Sequence, residues 1–187
     1  QIASDIAPID TTQEVADALT ITDDRVRQDM SIVRAWLGEN PRTGRMFLPG
    51  ATEHPLAVER GIGLYLIEAL LCDADLFKRL RLRGQARGAE GLDDLRTALR
   101  LVNGAPFDGL RARGSAWLAS NQLDQHLLCS IVDVAHIVST IAIEAGDTQQ
   151  ARGASEVAIL AAPSDATTQF DLAAIAAKNG DGTQAAA

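Results

Sequence analysis

Gly146-Asp147-Thr148-Gln149-Gln150-Ala151 returns as Gly180-Asp181-Gly182-Thr183-Gln184-Ala185, with the two leading glycines 34 residues apart. A turn that recurs at such a distance restricts a chain to stacked helical hairpins, each burying its apolar face only against its neighbour. The intervening residues agree. Thr148 to Ala161 places Ala151, Ala154, Ala158 and Ala161 on one side of a helix, a small-residue face suited to close approach. Pro163 stops that helix, and Asp165 starts another that runs to Lys178. Upstream, Asn121 to Ala145 reads as one long amphipathic helix. Leu127, Leu128, Ile131, Val134, Ala135, Val138, Ile141 and Ala142 fill its apolar arc.

The stretch Cys72 to Phe107 supplies the start of this helical half. It reads as two short helices divided at Gly84-Gln85-Ala86-Arg87-Gly88. Leu76, Phe77, Leu80 and Gly84 share one face of the first, and Leu92, Leu95, Leu99 and Val102 one face of the second. Glu90, Asp93 and Asp94 sit where the positive end of the helix dipole favours negative charge. Asn103-Gly104 followed by Pro106 ends the second helix. Nine of the basic residues lie between Leu71 and Arg113, against six acidic ones. Acidic neighbours on both sides supply partners that absorb this excess within the chain, so the stretch is expected to act as a strut before it acts as a phosphate contact.

The run Asp73-Ala-Asp-Leu-Phe77, a basic helix, and then Asp94-Leu-Arg-Thr-Ala-Leu-Arg-Leu-Val-Asn-Gly-Ala-Pro-Phe107 resembles the bacterial transcriptional activator domain (BTAD). That domain is the helical module behind the winged helix of SARP-type regulators, and the resemblance covers roughly residues 72 to 180. The 34-residue period is also that of tetratricopeptide (TPR) repeats, whose second helix ends where Pro163 falls. Arg83-Gly-Gln-Ala-Arg-Gly88 and Ile131-Val-Asp-Val-Ala-His136 additionally resemble the C-terminal module of actinobacterial LysM/BTAD proteins.

Thr11-Thr-Gln-Glu14 has the form of a capping box, with Val15, Ala18 and Leu19 as the apolar face of a short helix. Thr22-Asp-Asp-Arg25 opens a second, with Val26, Met30, Val33 and Leu37 in register. Two short helices joined by a tight turn predict a helix-turn-helix, although any packed helix pair shows the same pattern. Arg45 to Leu48 and Leu64 to Ile67 read as short strands of a hairpin. Between them runs a long loop containing Pro49-Gly50, His54-Pro55 and Gly61-Ile-Gly63. A helix-turn-helix followed by a hairpin is a winged helix, the order of SARP-type proteins. Its first helix would precede Thr11, where Gln1 to Asp10 supplies only a remnant.

The expected fold is therefore mainly α. A winged-helix-like domain spans 1–70, N-terminally truncated, and a BTAD TPR-like helical repeat domain spans 71–187. The resemblance implies transcriptional regulation, with double-stranded DNA as one partner. A protein partner, or self-association, engages the helical domain. The candidate DNA-binding residues are Arg25, Arg27, Gln28, Ser31 and Arg34 on the second helix, with Arg42 and Arg45 in the following turn and wing. Arginine suits guanine edges or phosphate and glutamine suits adenine. The same helix carries Asp23, Asp24 and Asp29, however, and the chain has a net charge of −8. The alternative is a protein-interaction module that binds no DNA, at the intracellular end of a larger LysM-containing envelope protein.

Chemistry beyond binding finds little footing. His126, Cys129, Asp133 and His136 lie on one arc of the long helix, but at ~1.5 Å per residue they span roughly 15 Å, too far for one tetrahedral ion. They read as the polar face of an amphipathic helix. Gly61-Ile-Gly63 lacks the rest of a dinucleotide fingerprint, and Asn179-Gly-Asp-Gly-Thr183 lacks the acidic ligands of a calcium loop. No hydrolase, zinc-protease or phosphate-loop motif occurs. No enzyme, cofactor or metal is expected. Cys72 and Cys129 read as buried thiols of a reducing compartment, and Trp36 and Trp117 as core anchors. No apolar run approaches the ~20 residues of a membrane span. The chain, which opens on Gln1 and closes on an alanine run, is expected to be a cytoplasmic piece of a longer protein that is itself membrane-anchored in the LysM reading. No membrane contact is expected within it.

Overall fold

The structure, a computed structural model, describes residues 10–111 and 122–180. Trp117, the N-terminal helix remnant and the second copy of the Gly-Asp turn beyond Gly180 lie outside the described residues. The chain is mainly helical and divides into two compact units, Gln1–Leu71 and Cys72–Ala187.

In the first unit, α1 (Thr12–Leu19) begins at Thr11 with both halves of the capping box. The Thr11 N–H donates to Glu14 Oε2 at 2.7 Å, and the Glu14 N–H donates to Thr11 Oγ1 at 3.2 Å. These bonds hold the Glu14 carboxyl below the usual carboxylate range. Thr20 closes the helix in the left-handed region at φ 57°, and Thr22 caps α2 (Asp23–Leu37) by accepting from the Arg25 N–H. Around Val26 the core gathers Ala16, Leu48 and Tyr65, with Val15, Met30, Val33 and Leu37 against it. The α2 stripe matches the sequence pattern. The α1 face is different, for Ala16 is buried and Ala18 and Leu19 are exposed. A helix of eight residues buries only a narrow strip, and the Ile21 N–H donates to the Ala16 carbonyl, drawing that side into the turn.

The two expected strands do not form as strands. Among the described residues there are only two isolated antiparallel bridges, Asp10 with Tyr65 and Glu39 with Met46. Residues 47–51 and 64–68 still run antiparallel in a single register, since the Glu68 N–H donates to Phe47 O and the Leu64 N–H to Ala51 O, both at 2.8 Å. Three features interrupt the ladder. Pro49 has no N–H, Phe47 spends its own on Gly38 O, and Arg34 takes the carbonyls of Leu48 and Pro49. The connecting loop contains a helix, α3 (Pro55–Arg60), with proline at its first position and Gly61 just past its end. His54 caps it. Its Nδ1 accepts from the Leu56 N–H at 3.1 Å, so the ring proton sits on Nε2 and bonds Glu68 Oε1 at 2.8 Å.

In the second unit, α4 (Asp73–Ala86) continues through Gly84 and breaks only at Gly88, whose φ is 58°. A 3-10 turn (Gly88–Gly91) then leads into α5 (Leu92–Leu99). Gly84 and Gly91 are a contact, not a break. A Cβ on Gly91 would fall 1.9 Å from the Gly84 carbonyl oxygen. After α6 (Asp108–Arg111) come α7 (Leu123–Glu144), α8 (Thr148–Ala161) and α9 (Ala166–Asn179). The core holds Phe77, Leu80, Leu95 and Leu99 of the first pair against Ile131, Val134 and Val138 of α7 and the alanines of α8.

By length and composition α7 is apolar enough to cross a bilayer, a property the sequence reading did not assign to it. Within this unit it is the central helix, packed by α5, α8 and α9. Burial on several sides explains why Val132 and Ser139 are covered although they lie outside the expected arc. Cys72 and Cys129, expected to be buried, are exposed. Cys72 precedes α4, where partial desolvation, with the carboxylates of Asp75 and Asp73 nearby, raises its thiol and Sγ donates to Asp75 Oδ2 at 3.1 Å. Cys129 lies on the polar arc of α7.

Asp171 of α9 is buried against α7, its Oδ1 2.8 Å from His136 Nδ1. Burial raises its carboxyl above the usual range, and the histidine offsets this only in part. A carboxyl whose folded pKa is raised binds its proton more readily folded than unfolded. Its charged form therefore weighs against the fold above that pKa, and the penalty is relieved as pH falls. Thermal unfolding of the protein and of Asp171→Asn between neutral and mildly acidic pH should show the wild-type gaining on the variant as pH drops. A constant gap would contradict this account.

Candidate nucleic-acid interface

The residues expected to touch DNA sit on the outer side of α2 and in the turn behind it, and the structure sorts them into three groups. At ~100° per residue the buried stripe is centred near Val26, and Arg25, Ile32 and Trp36 fall together roughly 80–120° away on one flank. Arg27 and Arg34 lie on the other flank, and Gln28 and Ser31 face further outward.

Arg25 and Arg27 form the first group. The Arg25 guanidinium donates to Asp29 at 2.9 Å, and that of Arg27 to Asp24 at 2.7 Å with Asp23 at 3.9 Å. These pairs are exposed, and each is worth only a few tenths of a kcal/mol, about 0.3–0.5. They nevertheless place a carboxylate beside each guanidinium. With three aspartates and three arginines, α2 carries no net charge.

Arg34 is the second group. Its Nε donates to Leu48 O at 2.9 Å and its Nη2 to Pro49 O at 3.2 Å. Both carbonyls lie in the extended segment after the turn, so Arg34 ties α2 to that segment. Its guanidinium points at protein.

Gln28, Ser31, Arg42 and Arg45 form the third group, and all four are exposed. Arg42 and Arg45 have no acidic partner among the described residues. They are held by the turn itself: the Asn40 N–H donates to Arg45 O at 2.8 Å, the Arg42 N–H to Asn40 Oδ1 at 2.9 Å, and Gly44 sits at φ 66°.

Two residues absent from the expected site dominate its surface. Trp36, expected in the core, is 81% exposed, and Ile32 is 66% exposed. The signal was available in the spacing, because Trp36 falls off the stripe defined by Val26, Met30, Val33 and Leu37.

The polar arc of α7 is likewise engaged elsewhere. Asp133 pairs with Arg81 at 3.2 Å and His136 with Asp171, and among the described residues no group of three or more ligating side chains converges. Much of the arginine excess in 72–113 is paired within the unit. Arg83 grips Asp94 with two bonds of 2.7 and 2.6 Å, which hold that carboxyl below its usual range, and Arg87 approaches the same group at 3.6 Å.

Compared with known proteins, the chain matches no protein-family model, no curated protein and no solved structure.

Arg34→Ala should destabilise the first unit by ~1.5–3 kcal/mol, since it removes charged hydrogen bonds to two carbonyls. Arg25→Ala should change stability by less than about 0.5 kcal/mol. Chemical denaturation of the two variants makes the comparison, and equal effects would refute the structural role of Arg34.

Proposed function

We propose that this chain is a protein-interaction module of the kind carried by BTAD-containing proteins, with a winged-helix-like first unit and a TPR-like second unit. The first part of the reading draws support from the α1–turn–α2 arrangement and from the antiparallel register of residues 47–51 and 64–68 behind it. The second draws support from the α7–α8 hairpin with its alanine face, and from Gly146 and Gly180, left-handed at φ 78° and 79° just after α7 and α9 and 34 residues apart.

One observation carries the choice of protein over DNA. The outward side of α2 has no net charge, its two outer arginines are matched by aspartates, and it displays Ile32 and Trp36 to solvent. Affinity for DNA comes largely from phosphate neutralisation, which a neutral helix supplies poorly. An exposed tryptophan with an exposed isoleucine one turn before it is instead the kind of apolar surface at which protein partners dock, tryptophan being enriched among hot-spot residues. A regulator that contacts double-stranded DNA is the second reading. It is favoured by Arg42 and Arg45, which are exposed without acidic partners among the described residues, and by Gln28 and Ser31, which are exposed on α2.

Binding of a mixed-sequence duplex, followed by fluorescence anisotropy from low to physiological salt, separates the two. The interaction module should show at most weak binding that is unchanged by Arg42→Ala or Arg45→Ala. Tight binding that falls steeply with salt and is weakened by either substitution would establish the DNA reading instead.

A further inference from the structure

We propose that His54 is a proton-operated clasp: on taking a second ring proton it releases the start of α3 while staying bound to Glu68. This inference concerns the first unit only and holds whichever reading of α2 is correct. The residue is 6% exposed, and both ring nitrogens are committed. Nδ1 accepts from the Leu56 N–H at 3.1 Å, and Nε2 bonds Glu68 Oε1 at 2.8 Å. One side chain thereby joins the first turn of α3 to the extended segment that the Glu68 N–H fastens to Phe47 O. The two bonds respond oppositely to a proton. An imidazolium has an N–H at each nitrogen and no acceptor, so at Nδ1 two donors would face each other. At Nε2 the same proton turns a neutral bond into a charge-assisted one to a carboxylate. The positive end of the α3 dipole adds to the imbalance by repelling a cation from the helix start.

α3 depends on that cap. It has six residues, well short of the ~12–15 below which an isolated helix is marginal, and of its side chains only Ala57 is buried. The other charged groups on the surrounding elements are engaged or turned outward. Glu53 accepts from the Gly50 N–H at 2.8 Å, and Arg34 of α2 is held by the Leu48 and Pro49 carbonyls. Asp10 meets Tyr65 through backbone bonds, and Glu59 and Arg60 stand exposed in the last turn of α3. Glu68 is therefore the charge that decides where the protonated ring stays. Release of α3 would uncover Ala57 and the half-buried Leu56 beside Val58 and Ile62, which are already exposed. Acid thus enlarges the apolar surface of this unit.

The test follows the full chain by NMR between about pH 7.5 and about pH 5, the range in which histidines generally change charge. At the upper end the ring nitrogens of His54 should show the proton on Nε2, and the carbon chemical shifts of residues 55–60 should be helical. As the ring gains its second proton those helical shifts should be lost with the same midpoint, while those of α1 and α2 persist. His54→Asn, whose side-chain oxygen caps without titrating, should keep α3 helical throughout. Glu68→Gln keeps an acceptor for Nε2 without the charge, so release should move to lower pH. The proposal is overturned by a neutral ring protonated on Nδ1, by a ring that stays uncharged down to about pH 5, or by α3 shifts indifferent to the ring's charge. Equal loss in His54→Asn or an unmoved midpoint in Glu68→Gln would also overturn it. So would simultaneous loss of the α1 and α2 shifts, which is general unfolding in acid.

Discussion

Ala151, Ala154, Ala158 and Ala161 bring the backbone of α8 close against α7, and the second unit is arranged around that approach. All four are buried. A larger residue at any of them would push the helices apart, and a densely packed core tolerates such insertions poorly. Close approach in turn buries the hydroxyls of Ser139 and Ser155, which satisfy one another at 3.4 Å while Ser155 also donates to Ala151 O at 3.2 Å. With one side of α7 committed to α8, its other sides take Leu95 and Leu99 of α5 and Asp171 of α9. Much of the apolar arc of a helix apolar enough for a bilayer is thereby covered by protein, while its polar arc stays exposed.

In the first unit the comparable element is a charged side chain, Arg34. It bonds the carbonyls that a regular hairpin would have used, and Pro49 withholds the N–H that a partner strand would have needed. The result is an extended pair with a constant register but no continuous ladder, held by two backbone bonds of its own and fastened to α2 through Arg34. This arrangement also determines what α2 presents outward. Its third arginine is turned inward, its other two are balanced by aspartates, and Ile32 and Trp36 are left as the prominent groups on its outer surface.

Periodicity made the helical parts legible. The apolar stripes of α2, α4 and α8, the capping box at Thr11 and the left-handed glycines at 146 and 180 all follow from spacing and cap chemistry, and the structure shows each of them. What spacing does not encode is which of several helices covers a given side, so Val132, Ser139 and Asp171 were not anticipated as buried. The strands were misread because β-forming residues at 45–48 and 64–67 suggested pairing, while the competition for their backbone groups came from Arg34 and Gly38, distant in sequence. The α3 helix was missed although Pro55 and Gly61 bracket it in the manner of a helix start and stop. At the candidate interface, residue type alone named seven polar positions. It gave no sign of which arginines would be neutralised by neighbours on the same helix, and the exposed Trp36 was assigned to the core on size.

α2 presents an exposed, apolar and electrically neutral face. Trp36 fluorescence in a Trp117→Phe background reports on it directly, using one neutral and two charged quenchers. The account predicts water-exposed, red-shifted emission, efficient quenching by acrylamide, and comparable quenching by iodide and caesium. Blue-shifted emission shielded from acrylamide would contradict the exposure, and a strong preference for iodide would reveal a basic surface and contradict the neutrality.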